Sequence, residues 1–249
     1  MFVSGMTNKG LERSRNEDNC FARTDAGTAL LVVADGMGGH SAGNVASGIA
    51  INSAEQFWAD FDRANTPSVE DAREMVRNLI LKANELILDE AVNFSDRKGM
   101  GTTFTVGLLC GNRLTIGHIG DSRAYLIRDG QIRLLTKDHS LVEQLVDSGQ
   151  IQPEDAESHP QRHVLTRALG ISPDIQLDIS EEEIESGSIL LFCTDGLTNL
   201  VRDKEILEES AKQPEPEKLA ESLIKLANSR GGFDNITVVV ASDIGGQKA

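Results

Sequence analysis

The chain has 249 residues, of which 39% are hydrophobic and 25% charged, with a formal net charge of −15. This is the composition of an ordinary soluble globular protein and excludes the disordered and fibrous classes. The acidity speaks against nucleic acid as a partner, because binding a polyphosphate backbone draws on clustered Lys and Arg.

In chain order, the first β-branched apolar run, residues 29–34 (ALLVVA), reads as a buried strand. A helix over residues 41–61 follows a glycine cluster and carries Val45, Ile49, Ala50, Ala54 and Phe57 on one side. A clearer helix spans residues 69–92, where Val69, Ala72, Met75, Val76, Leu79, Ile80, Ala83, Leu86, Ile87 and Glu90 recur at three- and four-residue steps; Ser68 and Asp71 supply a capping box. Strands follow at 102–109 and 114–119, then a hairpin of 123–128 and 131–135 turning on Asp129-Gly130. Residues 148–170 are poor in periodic apolar positions and read as an extended loop or small flap of the kind that borders a site. Strands at 189–193 and 236–241 enclose an amphipathic helix at 216–228, and residues 245–249 read as a loose tail. No repeat or linker divides the chain, so one domain over residues 1–244 is expected. Regular βαβ alternation is absent, and the order of elements suits an α+β fold with packed sheets and helices outside.

Cys20, Cys110 and Cys193 are far apart and lack C-x-x-C spacing, which makes them reduced core thiols. The apolar runs are too short to span a bilayer, and the first ten residues do not have the pattern of a secretion signal. The expectation is a cytoplasmic protein with no membrane partner.

The informative feature is where the acids fall. Asp35 follows ALLVVA, Asp121 follows TIGHIG, Asp195 follows ILLFCT, and Asp234 precedes NITVVVA. An ionised carboxylate at the margin of an apolar core is costly unless it is paired or binds metal. Hard ions such as Mg²⁺ and Mn²⁺ accept carboxylates drawn from separate strands without any short ligand motif. Gly36, beside Asp35, can offer its backbone carbonyl. The run from Arg13 to Asp18 adds a guanidinium suited to phosphate together with Glu17 and Asp18.

Arg13-x-x-Asn16-Glu17-Asp18, Asp35-Gly36-Met37-Gly38-Gly39-His40, Gly101-Thr102-Thr103, Gly120-Asp121-Ser122-Arg123, Thr194-Asp195-Gly196 and Asp234-Asn235-Ile236-Thr237 together resemble the successive motifs of the type 2C metal-dependent protein serine/threonine phosphatases, in family order. The likeness runs from about Gly5 to Val240, and the Gly-Met-Gly-Gly-His form is similar to the bacterial branch. The resemblance implies a four-layer α-β-β-α sandwich, two antiparallel sheets flanked by helices. It also implies hydrolysis of phosphoserine and phosphothreonine monoesters by a water or hydroxide bridging two Mg²⁺ or Mn²⁺ ions. In that reading Asp35 bridges the ions, the Gly36 carbonyl serves one, and Asp195 and Asp234 complete the other. Glu17 and Asp18 act nearby, partly through water, and Asp121 with Asp195 is similar to the family's third-metal site. Arg13 is the catalytic, phosphate-holding residue.

Animal members carry a histidine where this chain has Met37, so His40 is the candidate general acid here. His163, in the flap, is the candidate substrate contact, and His118, inside an apolar strand, is expected to pack. The implied partners are phosphorylated proteins, including Ser/Thr kinases and their substrates, met by a monomer.

Other readings fit less well. The glycines after Asp35 lack dinucleotide-binding spacing, and no Asp-x-Asp of an aspartyl-phosphate phosphatase follows the first strand. A non-catalytic phosphoprotein-binding regulator on the same fold is the alternative from another class, but such a protein would have lost metal acids that this chain retains.

Overall fold

The computed structural model describes residues 1–38, 42–62, 65–156 and 159–244. The first half contains β1 (Phe2–Asn8), β2 (Asp18–Asp25), β3 (Thr28–Met37), α1 (Ala42–Asp60), α2 (Val69–Asn93), β4 (Gly101–Thr102), β5 (Phe104–Cys110) and β6 (Arg113–Ile119). After these come β7 (Arg123–Arg128), β8 (Gln131–Leu134), α3 (Leu141–Asp147), α4 (Pro153–Ala156), β9 (Asp178–Glu183) and β10 (Ile189–Cys193). The short α5 (Asp195–Thr198), α6 (Asp203–Lys212), α7 (Pro216–Ser229) and β11 (Ile236–Ser242) complete the order.

One antiparallel sheet runs β1-β11-β10-β7-β8 and the other β2-β3-β5-β6-β9, with β4 paired to β3. Three apolar layers hold them. Leu30, Val32 and Ala34 of β3 pack against α1 and α2, while Ala29, Leu31 and Val33 of the same strand face the other sheet. β11 repeats the arrangement, with Ile236, Val238 and Val240 toward α7 and Val239 and Ala241 between the sheets. Strands covered on both faces carry continuous rather than alternating apolar residues, which explains why these two were so plain in the sequence. The result is the expected α-β-β-α sandwich. At its centre a Cβ on Gly107 of β5 would overlap the Phe192 ring of β10, so the sheets meet there at a separation only glycine allows.

Local signals hold in detail. Ser68 caps α2 by accepting from the Asp71 N–H at 3.1 Å, and the Asp71 carboxylate accepts in return from the Ser68 N–H. Asp129 and Gly130 have φ of 50° and 72°, the paired left-handed conformation that a two-residue hairpin turn needs.

The expected strand at 102–109 is split at Thr103, because Gly101 and Thr102 pair with Met37 and Gly36 rather than continuing into β5. β3 therefore runs past its apolar stretch, and Asp35 lies inside the strand, opposite Asp18 of β2, instead of beyond its end. The flap contains α4 and is tied down by bridges between Thr102 and Leu169 and between Ser140 and Leu165. The buried Asn84 side chain of α2 adds a clamp, accepting from the Gly170 N–H at 2.8 Å and donating to the Ser172 carbonyl at 2.9 Å. His40 and residues 245–249 lie outside the described residues.

Candidate active site

Both sheets deliver acids to one seam. Asp18 and Asp35 come from paired positions in β2 and β3, Asp121 from the turn after β6, Asp195 from the first residue of α5, and Asp234 from the loop entering β11. Asp18 is 3% exposed. Its Oδ2 accepts from the Thr194 and Thr237 hydroxyls at 2.8 and 2.7 Å, both from the opposite sheet side, while its Oδ1 has no hydrogen-bond partner among the described residues. Because Thr237 donates to Asp18, the Thr7 hydroxyl, 2.7 Å away, must donate to Thr237, and Thr7 in turn accepts from the Asn16 amide. A chain of four polar groups thus fixes one carboxylate oxygen and leaves the other bare.

The electrostatics follow from that crowding. Burial, with the charges of Asp195 and Asp234 added, pushes the Asp18 carboxyl up to about 7 despite the two threonine hydroxyls that lower it. Burial also drives Asp35 well above the usual carboxylate range, reinforced by Asp18, Asp195, Asp121 and Asp234. Asp121 is raised by burial and then by Asp195, and Asp195 by burial and then by Asp234. Glu17 is raised chiefly by burial and drawn back by Arg13 and Arg15.

Arg13 donates from Nη2 to Asp234 Oδ2 at 2.7 Å, a pair that remains partly open to solvent. The Gly36 carbonyl oxygen and Glu17 Oε2 lie where a Cβ on Gly43 would come within 2.7 and 2.9 Å of them, so a glycine at the start of α1 keeps both oxygens clear. His163 Nδ1 is 4.0 Å from Asp195 Oδ2, which brings the flap to the same cluster. A groove of about 660 Å³ extends from Asp121 and Asp195 past His163 and Asn199 toward Lys204.

These residues fit divalent cations. Six carboxylates and one guanidinium leave a net of five negative charges, most of which two divalent ions would offset, and the unpartnered Oδ1 of Asp18 is an acceptor in want of a cation or its water. Among the described residues no three acidic, His or Cys side chains already surround one point as a cage. Magnesium-like ions that keep several of their waters need only one or two carboxylates each, so the open arrangement suits them.

Residues 11–227 match the protein phosphatase 2C family. The chain belongs to that family. Among relatives, the serine/threonine protein phosphatase PstP of Mycobacterium tuberculosis is 42% identical over 94% of this chain, which spans only 43% of PstP's length. Protein phosphatase PhpP of Streptococcus pneumoniae is 38% identical over 97% of both chains. The crystal structure of the M. tuberculosis phosphatase superposes with a TM-score of 0.88 at 41% identity, covering 97% of each chain. The PstP catalytic domain in complex with two manganese ions gives 0.84 at 38% identity, again over 97% of both.

Several residues that build this protein phosphatase 2C site were not singled out as site residues by sequence reasoning. Thr194 and Thr237 hold Asp18, and Asn235 locks the Arg13 loop by donating to the Lys9 and Arg15 carbonyls while accepting from the Glu17 N–H at 2.8 Å. Thr103 accepts from the Asp35 N–H at 2.9 Å and touches Ser122 Oγ at 2.8 Å, linking the Asp35 and Asp121 segments. Thr194, Asn235 and Ser122 adjoin Asp195, Asp234 and Asp121 in sequence, whereas Thr103 and Thr237 adjoin no acid. His139 braces the Asp121 turn by accepting from the Gly120 N–H at Nδ1.

His118 packs as expected, with Nε2 donating to the Lys137 carbonyl and Nδ1 meeting Thr105 Oγ1, and burial drives it down to about 4. The three thiols are free, and burial raises each of them.

Proposed function

We propose that this chain is a metal-dependent protein serine/threonine phosphatase whose chemistry takes place at the carboxylate seam between its two sheets. The observation that carries the reading is the convergence of Asp18, Asp35, Asp121, Asp195 and Asp234 beside Arg13, in a chain of the protein phosphatase 2C family. Asp35, the Gly36 carbonyl, Asp195 and Asp234 would hold two Mg²⁺ or Mn²⁺ ions; Glu17 and Asp18 would act through bound water, and Asp121 with Asp195 would hold a third. When bound, such ions lower the pKa of water and neutralise phosphoryl charge.

The protein's own groups do the rest. Arg13, kept in place by Asp234, offers its remaining N–H donors to the phosphate oxygens and offsets charge that builds on them during transfer. Thr194 and Thr237 fix the Asp18 carboxylate through one oxygen and leave the other unpaired for a cation or its water. Water attacks phosphorus, the P–O bond to the serine or threonine oxygen breaks, and that oxygen takes up a proton. His163, at the flap edge near Asp195, stands where a bound phosphopeptide would pass. His40 is the candidate proton donor to the leaving oxygen.

The substrates are phosphorylated proteins, including Ser/Thr kinases and their targets. We take it to act as a cytoplasmic monomer without a membrane partner; the net charge of −15 speaks against nucleic acid, and among the described residues no helix is long and apolar enough to cross a bilayer. No observation favours a non-catalytic regulator. The test is phosphate release from phosphoserine, phosphothreonine and phosphotyrosine peptides across a Mn²⁺ titration after chelation. Turnover of the first two that rises with Mn²⁺ is expected, and its absence would overturn the reading.

A further inference from the structure

Two large apolar side chains stand in water beside the phosphate-binding arginine. Leu11 is 67% exposed and Phe233 54%, and they lie two residues before Arg13 and one before Asp234, the ion pair at the mouth of the site. Single exposed apolar residues are ordinary. These two are held on a platform that is unusually well fixed for a pair of loops.

The Leu11 N–H donates to the Gly232 carbonyl at 2.8 Å. Asn8 accepts from the Gly10 N–H and from the Asn228 amide, and Asn235 pins the Lys9 and Arg15 carbonyls. Gly10, Gly231 and Gly232 have φ of 76°, 116° and 49°, left-handed conformations that side chains rarely adopt. A Cβ on Gly10 would overlap the Asp234 carbonyl oxygen, so the two loops interlock at backbone contact. The Phe233 ring lies over Gly231, and Leu11 Cγ rests where a Cβ on Gly232 would be 3.1 Å away. Both apolar groups are therefore seated on successive glycines, and ordering them on binding forfeits little freedom.

Continuity with the catalytic seam identifies the occupant. A phosphoserine that reaches Arg13 and the carboxylates draws its own backbone across this rim. Each further residue of extended chain advances about 3.3–3.6 Å, so the residues one to three away sweep about 10 Å of it. We propose that Leu11 and Phe233 form an apolar subsite that receives a hydrophobic side chain of the phosphoprotein within three residues of the phosphorylated one. The subsite rests on the phosphatase reading above.

The test uses phosphothreonine peptides identical except for a single leucine or serine placed in turn at each position from three before to three after the phosphothreonine, with Mn²⁺ present. Wild-type enzyme is expected to favour leucine at one of these positions by about tenfold in kcat/KM, the discrimination typical of burying part of such a side chain. Leu11→Gln combined with Phe233→Gln should bring that ratio to about one, and Phe233→Leu should keep most of it. Equal kcat/KM for all wild-type peptides, or a ratio unmoved in the double variant, overturns the subsite while leaving the phosphatase reading intact. Failure of the wild type to cleave any peptide overturns the phosphatase reading itself. A wild-type dimer on gel filtration that the double variant loses, without any peptide preference, would assign the patch to a second copy of the chain and overturn the proposal.

Discussion

The bare oxygen of Asp18 makes the metal-free protein sensitive to pH in a direction opposite to that of most paired carboxylates. A carboxyl whose folded pKa, about 7, lies above its ordinary 3.8 binds its proton more tightly in the folded state. Its contribution to stability is whole below about pH 4 and is lost as pH rises through 7. Between pH 5 and pH 8 the loss is on the order of 3 kcal/mol, which for a chain of this size is roughly 6–12 °C in Tm.

His118, held at about 4, works in the opposite sense over the lower half of that window, while Glu205, held down to about 2 by Arg230, has finished titrating before it. The difference between Asp18→Asn and wild type therefore cancels both and reports Asp18 together with the part of the Asp35 shift that its charge causes. Thermal melts of both proteins in chelator should show the Asp18→Asn variant gaining on the wild type by on the order of 3 kcal/mol from pH 5 to pH 8, and saturating Mn²⁺ should reverse the order by favouring the carboxylate. A Tm difference that stays constant across the window would refute the account of Asp18 as a buried acid waiting for a cation.

Asp195→Asn should lower Mn²⁺-dependent phosphopeptide turnover on the order of a hundredfold or more while the far-ultraviolet circular dichroism spectrum is unchanged; retained turnover would remove it from the metal set. Arg13→Ala should raise KM for the phosphopeptide by about tenfold and lower kcat as well, and steady-state kinetics with both unchanged would count against phosphate contact. In Gly196→Ala the new Cβ would overlap the Asn235 carbonyl oxygen, and urea unfolding should register a loss of about 3 kcal/mol. Because Asn235 also anchors the Arg13 loop, activity should fall in the same variant.

Much of the architecture was legible because two-sided burial writes itself as uninterrupted apolar sequence, as in β3 and β11. Three of the four edge strands left no such mark. β1 is exposed along most of its length, β9 reads Asp-Ile-Ser-Glu-Glu-Glu, and β2 begins at a site acid, so none carries a run that periodicity can detect. At the site, the acids stood out because they interrupt or bound apolar runs. Thr194 and Thr237 did not, since a threonine beside a strand reads as strand propensity, and its hydroxyl gains meaning only when Asp18 arrives from far along the chain. The extension of β3 through Asp35 was hidden for the same reason: its partner, β4, is a two-residue strand defined only by pairing.

Gly107 beneath Phe192 sets how closely the layers approach, and Asp18 is gripped by hydroxyls that belong to the far layer. The catalytic floor is thus a joint rather than a plate. Slippage of one layer over the other would part Asp18 from Thr194 and Thr237 while each sheet kept its own strands and helices, so a loss at the seam need leave no trace in a spectrum of secondary structure.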